Sequence, residues 1–424
     1  MRGLVAKHVP FHWAWIIVAT CFLNIFVNYS ILLGYGVVFP EMIEALGIGR
    51  TAGVTILNTY LIVYTTLSPI TGYLADRLGA RWVITSSLFI ISVGVFLLGS
   101  ARTLTMACVF FAVVGFGATG VWAPTNAVIQ RWFSTHRRGL ALGIVTAGYG
   151  LGFATMGATL PWIMLRFHWR YAWYFLAIGA LILVPANGLL LRNDPESLGS
   201  LPWDQKDANP LKSLDLRKQP RRNSLFFVFR NQTFWLVSIS YFAISYSLYG
   251  MTTFMVDFAK NQLGMPIERA GLLATVHGIC QVVGVLTILP LSDYIGRKKT
   301  ILMSNFFIIL CLSGILLTTN SWIWLYILVG IMAVFYGATF PTYAACAGDY
   351  FPRQLIGSVV GAWSLFYGLG VILAHWVGGL LRDTTGNYHC SFQINAAMAV
   401  LGLLVIAAVK TVESARLSKS DFYR

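Results

Sequence analysis

The chain has 424 residues, of which 57% are hydrophobic and 11% are charged, and its formal net charge is +15. A typical soluble domain carries about 25% charged residues, so this chain has too little polar surface to cover its hydrophobic residues in water. The composition excludes a conventional soluble enzyme, a disordered protein and a nucleic-acid-binding domain. It indicates a membrane protein with many spans.

Twelve apolar segments are long enough to cross a bilayer, which takes about 20 residues in a helix. They form two groups of six, separated by a polar stretch, 192–230, with four prolines. We therefore expect an all-α membrane protein with two pseudo-symmetric six-helix bundles, 1–191 and 231–410, a cytoplasmic linker between them and a tail, 411–424. The predicted spans are 12–38, 51–74, 82–100, 104–130, 138–163, 170–191, 231–258, 269–291, 300–318, 322–348, 356–381 and 390–410.

The basic residues predict the orientation of these spans. With both termini in the cytoplasm, 23 of the 30 Lys and Arg residues lie in cytoplasmic segments and 7 lie in external loops. Cytoplasmic loops of membrane proteins carry such an excess. We expect a monomer in the cell (inner) membrane with both termini cytoplasmic. The six cysteines show no metal-binding spacing, so we expect no metal or other cofactor.

The two halves of the sequence repeat each other at a nearly constant offset. Asp76 and Gly79 correspond to Asp293 and Gly296, 217 residues later. The pair at 124–125, Pro-Thr, recurs at the same offset, and Gly-Leu-Gly at 150–152 recurs 218 residues later. Three matches in the same order indicate a duplicated six-helix unit. Transporters built from repeats bind substrate near the bilayer midplane, between the halves.

A loop pattern follows the second predicted span. The pattern G-x-L-x-D-R-x-G-x-R is matched in full by residues 72–81, and a partial copy stands at 291–299. On these residues the chain resembles the major facilitator superfamily over essentially its whole length. Charge-assisted bonds from such a loop to neighbouring helix ends predict a cytoplasmic gate that opens as the halves rock; the alternative is a solvated loop that only sets topology. The predicted gating residues are Gly72, Asp76, Arg77, Gly79, Arg81, Asp293, Gly296 and Arg297.

A narrower resemblance rests on the segments 11–15, Phe-His-Trp-Ala-Trp, and 132–152, which leads into the fifth span. These segments are similar to the monocarboxylate and oxalate–formate transporter families, and the resemblance implies an organic-anion substrate. Those families place an arginine in the eighth span, where this chain has about Val285, and the oxalate-type relatives add a lysine in the eleventh span. No lysine occurs here between Gly357 and Leu381.

The span interiors contain two ionisable candidates, His277 and His375. Ionisable residues inside a membrane are candidate functional groups, and histidine titrates near physiological pH. His277, with Gln281 one turn further on, is the candidate substrate ligand and proton carrier; the alternative is a neutral histidine bonded to a neighbouring helix. Polar and aromatic side chains at helical spacing complete the predicted binding site: Asn28, Tyr29, Trp122, Asn126, Tyr149, Tyr246, Tyr249, Tyr336, Thr339, Tyr343, Trp363 and Tyr367.

These features together predict a secondary active transporter of a small monocarboxylate or related organic acid, working by alternating access. Proton symport through His277 fits this function but is one option. The alternatives are a carrier of an uncharged polyol or sugar and an exporter of an amphipathic compound. A membrane enzyme or an ATP-driven pump is disfavoured because the sequence has no HExxH motif, nucleophile elbow or P-loop. A channel or receptor is disfavoured by the repeat and the loop pattern.

Overall fold

The computed structural model describes residues 12–133, 138–204, 228–317, 321–351 and 356–409. Their regular structure is helical apart from one isolated bridge between Phe133 and Trp203. The α-helices of these residues are α1 (Trp13–Leu46), α2 (Arg50–Leu78), α3 (Ala80–Ser100), α4 (Leu104–Thr119), α5 (Trp122–Trp132), α6 (Arg138–Arg166), α7 (Trp169–Leu190), α8 (Gln232–Thr252), α9 (Met255–Asn261), α10 (Ile267–Ile295), α11 (Arg297–Leu317), α12 (Trp322–Tyr350), α13 (Ile356–Thr385) and α14 (His389–Ala407).

These helices confirm the predicted all-α membrane fold. Within the described residues, eleven helical segments are long and apolar enough to cross a membrane. The segment that corresponds to the second predicted span, α2, is not among the eleven, although it is 29 residues long. It packs along α4 and α13, and several of its side chains are Ser, Thr or Asn, which lowers its hydropathy.

Two predicted spans are broken in the structure. The fourth span divides into α4 and α5 at Gly120, where a side chain would come within 2.1 Å of the Ser87 hydroxyl of α3. The seventh span divides into α8 and α9 at Thr253 and Phe254. Hydropathy cannot detect either break, because the residues on both sides remain apolar.

The polar linker between the bundles is described only in part. Its first residues form a short 3-10 turn, Pro195–Leu198. The Trp203 amide then donates to the Trp132 carbonyl at 2.9 Å, which fastens this end of the linker to α5. Residues 205–227 of the linker lie outside the described residues.

The helices pack as two bundles that share an interface. In the first bundle α1 packs along α6, α2 along α4, and α3 along α7; in the second, α10 packs along α12, and α8 along α13 and α14. The bundles meet through α6 against α10 and through α2 against α13. Close approach of α6 and α10 depends on glycine, because a side chain at Gly278 would lie 2.3 Å from the Gly150 carbonyl oxygen.

The repeated loop glycines adopt the same backbone conformation. Gly79 links α2 to α3 with φ 88° and ψ 136°, and Gly296 links α10 to α11 with φ 92° and ψ 143°. These positive φ values suit glycine and strain other residues. The 217-residue offset therefore connects two equivalent turns in the two bundles.

Candidate functional site

Four of the predicted site tyrosines meet where the two bundles face each other. Tyr149 belongs to α6, and Tyr249, Tyr336 and Tyr367 belong to α8, α12 and α13. The Tyr149 hydroxyl oxygen lies 3.2 Å from that of Tyr249 and 3.3 Å from that of Tyr336. The Tyr367 hydroxyl donates to the Tyr249 hydroxyl at 2.6 Å. This tyrosine cluster places four groups that can donate and accept hydrogen bonds at the bundle interface.

Two further predicted residues extend this surface into the first bundle. The ring centroid of Tyr29 lies 4.3 Å from that of Tyr149. Trp122 packs edge-to-face against Tyr29 at 6.1 Å. Tyr29 and Trp122 therefore form an aromatic surface beside the tyrosine cluster, and this surface could contact an apolar part of a ligand.

His277 lies beside the tyrosine cluster and is almost fully buried, with 1% of its surface exposed. Its ring packs edge-to-face against Tyr336 at 4.9 Å and against Phe153 at 5.4 Å. Neither ring nitrogen has a hydrogen-bond partner among the described residues, and the same holds for Oε1 of Gln281, one turn further along α10. Because nearly all buried polar groups in proteins are hydrogen-bonded, these atoms mark a place where a ligand or water would bind.

The helices around this site carry no formal charge over their membrane-spanning parts. No Lys, Arg, Asp or Glu occurs within residues 12–40, 139–165, 231–256, 270–292, 321–348 or 356–381. The site thus offers hydroxyls, an imidazole and an amide. A carboxylate that enters it loses its hydration and needs a compensating charge, which a protonated imidazole can supply.

Two of the predicted site residues, Tyr343 and Trp363, form hydrogen bonds within the second bundle. The Tyr343 hydroxyl pairs with that of Ser240 at 2.6 Å. The Trp363 indole donates to the Phe234 carbonyl at 3.3 Å. Both hydrogen bonds connect α8 to its neighbours within the bundle, so the hydrogen-bonding groups of these two residues are used in packing.

Four more predicted residues have no recorded contact with the tyrosine cluster among the described residues. Asn126 and Thr339 each donate to the carbonyl four residues earlier in their own helix, at 2.9 Å and 2.8 Å. Asn28 and Tyr246 are buried, each with less than 7% of its surface exposed. The structure therefore brings together six of the fourteen predicted residues: Tyr29, Trp122, Tyr149, Tyr249, Tyr336 and Tyr367, with His277 and Gln281 adjacent on α10.

Sequence reasoning missed two aromatic residues of this surface. Tyr241 stacks on Tyr367 with ring centroids 5.5 Å apart. Phe340 lies edge-to-face against Tyr367 at 5.0 Å and against Tyr336 at 5.3 Å. Tyr241 precedes Tyr249 by eight residues, and this spacing on one helix face could have revealed it.

The second interior histidine, His375, differs from His277 in having partners for both nitrogens. Nδ1 lies 2.8 Å from Oδ1 of Asn58, and Nε2 lies 2.8 Å from the Thr253 hydroxyl. A cavity of about 20 Å³, lined by His375, Tyr249, Leu57 and residues of α1, lies next to these bonds. It has room for about one water molecule.

The predicted gating residues lie at the opposite end of the bundles. The Arg81 amide donates to Oδ1 of Asn193 at 2.9 Å, and its guanidinium donates to the Gly188 carbonyl, which fastens the α2–α3 turn to the end of α7. Arg297 donates to the Ser292 hydroxyl within the second bundle. The structure describes the backbone at Gly72, Asp76 and Asp293, but not the side chains of the two aspartates. The gating role of this loop stays a prediction.

Comparison with known proteins identifies the family to which this fold belongs. A model of the Major Facilitator Superfamily matches residues 17–268 and 237–422. Among solved structures, the nucleoside transporter NupG superposes with a TM-score of 0.75 at 16% identity, covering 94% of this chain and 100% of that chain. A bacterial homologue of the lysosomal transporter Spinster, in an inward-facing conformation, superposes with a TM-score of 0.70 at 16% identity, covering 95% and 96%.

Curated relatives match over nearly the whole chain. The hexuronate transporter of Bacillus subtilis is 21% identical, and the match covers 90% of this chain and 90% of the relative. Monocarboxylate transporter 13 of Rattus norvegicus is 27% identical, covering 92% of this chain and 87% of the relative. The D-galactonate transporter of Escherichia coli O6:H1 is 23% identical, covering 92% and 95%. The chain therefore belongs to the Major Facilitator Superfamily and is a membrane transporter rather than an enzyme.

Proposed function

We propose that this transporter carries a small monocarboxylic or related organic acid together with a proton. The observation that carries this proposal is the buried His277 beside the tyrosine cluster, whose two ring nitrogens have no partner in the part of the chain that the structure describes. A protonated imidazole can pair with the substrate carboxylate, and the pair enters the site with no net charge. The helices around the site carry no formal charge in their membrane-spanning parts. The protonated imidazole therefore provides the positive charge that the buried carboxylate needs.

The relatives support the acidic substrate class. Three of them are named as hexuronate, monocarboxylate and D-galactonate transporters, and each of those names denotes an organic acid. The four tyrosine hydroxyls at the bundle interface can bind the oxygen atoms of such a molecule, while Tyr29 and Trp122 face its apolar part.

An uncharged polyol or sugar is the second candidate. The tyrosine cluster favours it, since four hydroxyl groups match a polyhydroxylated ligand without any need for charge. The two candidates differ in their dependence on protons. Transport of a carboxylate through His277 responds to a proton gradient, whereas binding of a neutral polyol through hydroxyl groups does not require one.

Uptake by proteoliposomes separates these candidates. Labelled lactate should enter faster when the outer solution is acidic, and a protonophore should abolish the increase, while a labelled polyol should show neither effect. The variant His277→Ala should slow lactate uptake about 10- to 100-fold, because it removes a hydrogen bond to a charged group worth about 1.5–3 kcal/mol.

A matched control lies on the same helix. Cys280, three residues after His277, faces Gly330 of α12 with its sulfur 3.4 Å from the Cβ position there, so Cys280→Ser should leave lactate uptake unchanged. Lactate uptake that is indifferent both to the proton gradient and to His277→Ala would contradict the proposal. Polyol uptake without lactate uptake would favour the second candidate.

A further inference from the structure

The contact between α6 and α10 extends to one end of the bundles. A Cβ at Gly150 of α6 would lie 2.7 Å from the Gly278 carbonyl oxygen, and a Cβ at Gly271 of α10 would lie 2.5 Å from Cγ of Pro161. Residue numbers therefore rise along α6 as they fall along α10, so the two helices are antiparallel. The last turn of α6 and the first turn of α10 consequently lie side by side at the same end.

Each of these helices has one side towards the tyrosine cluster and one side away from it. Tyr149 and Leu151 flank contact residue 150 of α6, and His277 and Ile279 flank contact residue 278 of α10. Tyr149 belongs to the cluster and His277 lies beside it, whereas Leu151 and Ile279 are exposed. Adjacent helical residues point about 100° apart, so the exposed residues lie on the opposite side of the contact. In a bilayer this side faces lipid.

Arg166 and Arg269 are exposed on this lipid-facing side, where α6 ends and α10 begins. Arg166 lies one turn after the exposed Trp162, and Arg269 lies one turn before the exposed Leu272. The Arg166 Cζ lies 5.4 Å from the centroid of the Trp162 ring, and the Arg269 Cζ lies 4.9 Å from that of Trp322 in α12. Neither guanidinium has a hydrogen bond or an ion pair within the described residues, so both can bind an anion.

The two arginines lie at a similar depth in the membrane. From the contact of residues 161 and 271, Arg166 is five residues further along α6 and Arg269 is two residues back along α10, which is about 7.5 Å and about 3 Å towards the same end. Tryptophan is enriched at the interface between membrane and water, so Trp162 and Trp322 place both arginines at the level of the phospholipid head groups.

Other charged groups at this end differ from these two arginines. Arg170 donates to two carbonyls at the end of α3, at 2.9 Å and 2.7 Å. Lys260 pairs with Glu41 of the other bundle at 2.6 Å. Glu268 of α10 is exposed and forms no ion pair with the residues that the structure describes. The lipid-facing side of the α6–α10 contact therefore keeps an excess of positive charge.

We propose that Arg166 and Arg269 bind the head group of an anionic phospholipid on the lipid-facing side of the α6–α10 contact. A guanidinium stacked on an indole ring keeps its N–H edge available, and this edge matches the oxygen atoms of a phosphate group. The acyl chains of the lipid then lie along the exposed Leu272 and Ile279. Because the two arginines belong to different bundles, a lipid bound to both stabilises the contact of the bundles at this end. The site is separate from the tyrosine cluster and does not depend on the substrate.

Thermal unfolding of the purified full-length chain in a neutral detergent measures this binding, because a ligand of the folded state raises the melting temperature. Phosphatidylglycerol and phosphatidylcholine with the same acyl chains are added in increasing amounts, and they differ in net charge. Phosphatidylglycerol should raise the melting temperature in a dose-dependent way, and phosphatidylcholine should raise it much less. Inorganic phosphate and glycerol 3-phosphate, which carry the charge without acyl chains, should have no comparable effect at the same concentrations.

Substitution of the arginines tests the site itself. Arg166→Gln and Arg269→Gln should each raise the phosphatidylglycerol concentration that gives half of the shift about fivefold, the contribution of one basic residue near anionic lipid. In the double variant, phosphatidylglycerol should act no more strongly than phosphatidylcholine. Arg102→Gln is the matched control, because Arg102 is exposed between α3 and α4 at the same end and its loss changes the net charge equally. This variant should respond to phosphatidylglycerol as the unchanged protein does.

Three results would overturn the proposal: equal effects of the two phospholipids on the unchanged protein, a preference for phosphatidylglycerol that persists in the double variant or falls equally in Arg102→Gln, or a shift with inorganic phosphate as large as that with phosphatidylglycerol. The melting temperature of each variant without lipid is measured first. If the double variant does not fold, the two single variants decide the outcome. Because lipid binding needs no substrate, its result is independent of whether lactate is transported.

Discussion

At the scale of single residues, two buried histidines take different roles because their surroundings differ. His375 has Asn58 and Thr253 as partners for its two nitrogens, and the bond to Asn58 connects α13 to α2 of the other bundle. His277 is equally buried and has no partner for either nitrogen among the described residues. A satisfied histidine contributes to stability, whereas an unsatisfied one contributes to stability only when a ligand is bound.

This contrast predicts different losses of thermal stability for the two alanine variants. His375→Ala should destabilise the protein, because it leaves Oδ1 of Asn58 and the Thr253 hydroxyl without a partner, at about 1–3 kcal/mol for each group. His277→Ala should lower the melting temperature less than His375→Ala, since it loses the ring packing against Tyr336 and Phe153 but no hydrogen bond among the described residues. Thermal unfolding of both variants in detergent, without substrate, measures the difference; equal losses of stability would show that His277 has a structural partner.

At the scale of elements, the contact of α6 with α10 is set by glycine. A Cβ at Gly157 would lie 2.5 Å from the Thr275 amide nitrogen and 2.6 Å from the Gly271 carbonyl oxygen. Both obstacles are backbone atoms, so the helices would have to move apart. On the same helix, no atom of the described residues lies within 4 Å of the Cβ position of Gly143, apart from the neighbouring backbone of α6 itself.

These two glycines give a matched pair of substitutions in α6. Gly157→Ala should destabilise the protein by about 1–3 kcal/mol, the usual cost of overpacking, and should slow transport because it separates α6 from α10. Gly143→Ala should leave the melting temperature unchanged or raise it slightly, since alanine favours a helix by about 0.5–1 kcal/mol over glycine. Melting temperatures and uptake rates of the two variants test this; a loss of stability in Gly143→Ala as large as in Gly157→Ala would contradict it.

At the scale of the whole molecule, charge is confined to the two ends of the bundles. At the end that holds Arg50 and Asp257, the ion pair of these two residues and the ion pair of Lys260 with Glu41 join the first bundle to the second. At the opposite end, the bonds of Arg81 and those of Lys298 to the Ala407 and Val409 carbonyls stay within one bundle. Ion pairs therefore hold the two bundles together at the end that carries Arg50 and Asp257.

The proposed orientation can be tested with a native cysteine. Cys390 at the start of α14 is exposed, whereas the other five cysteines are buried or partly buried. If both termini are cytoplasmic, a membrane-impermeant maleimide added outside intact cells should label Cys390, and Cys390→Ser should abolish this labelling. Labelling only after the membrane is permeabilised would indicate the opposite orientation.

The sequence by itself determined the fold class, the positions of the helices and the two equivalent loop turns. Hydropathy and glycine usage are local properties, so the predicted spans agree with the observed helices to within about four residues, except at the end of α1, which continues to Leu46, and at the breaks after α4 and α8. The repeated offset identified Gly79 and Gly296 as equivalent, and both have positive φ.

Only the tertiary structure decided which polar groups have partners. The sequence predicted that His277 and the tyrosines line a site, but it could not distinguish Tyr149, which joins the bundles, from Tyr343, which bonds within one bundle. It placed Asp257 near a span end and could not show that this carboxylate is buried against Arg50, 207 residues earlier. Hydrogen bonds and ion pairs between distant residues depend on how the bundles pack, and no local pattern of residues records that packing.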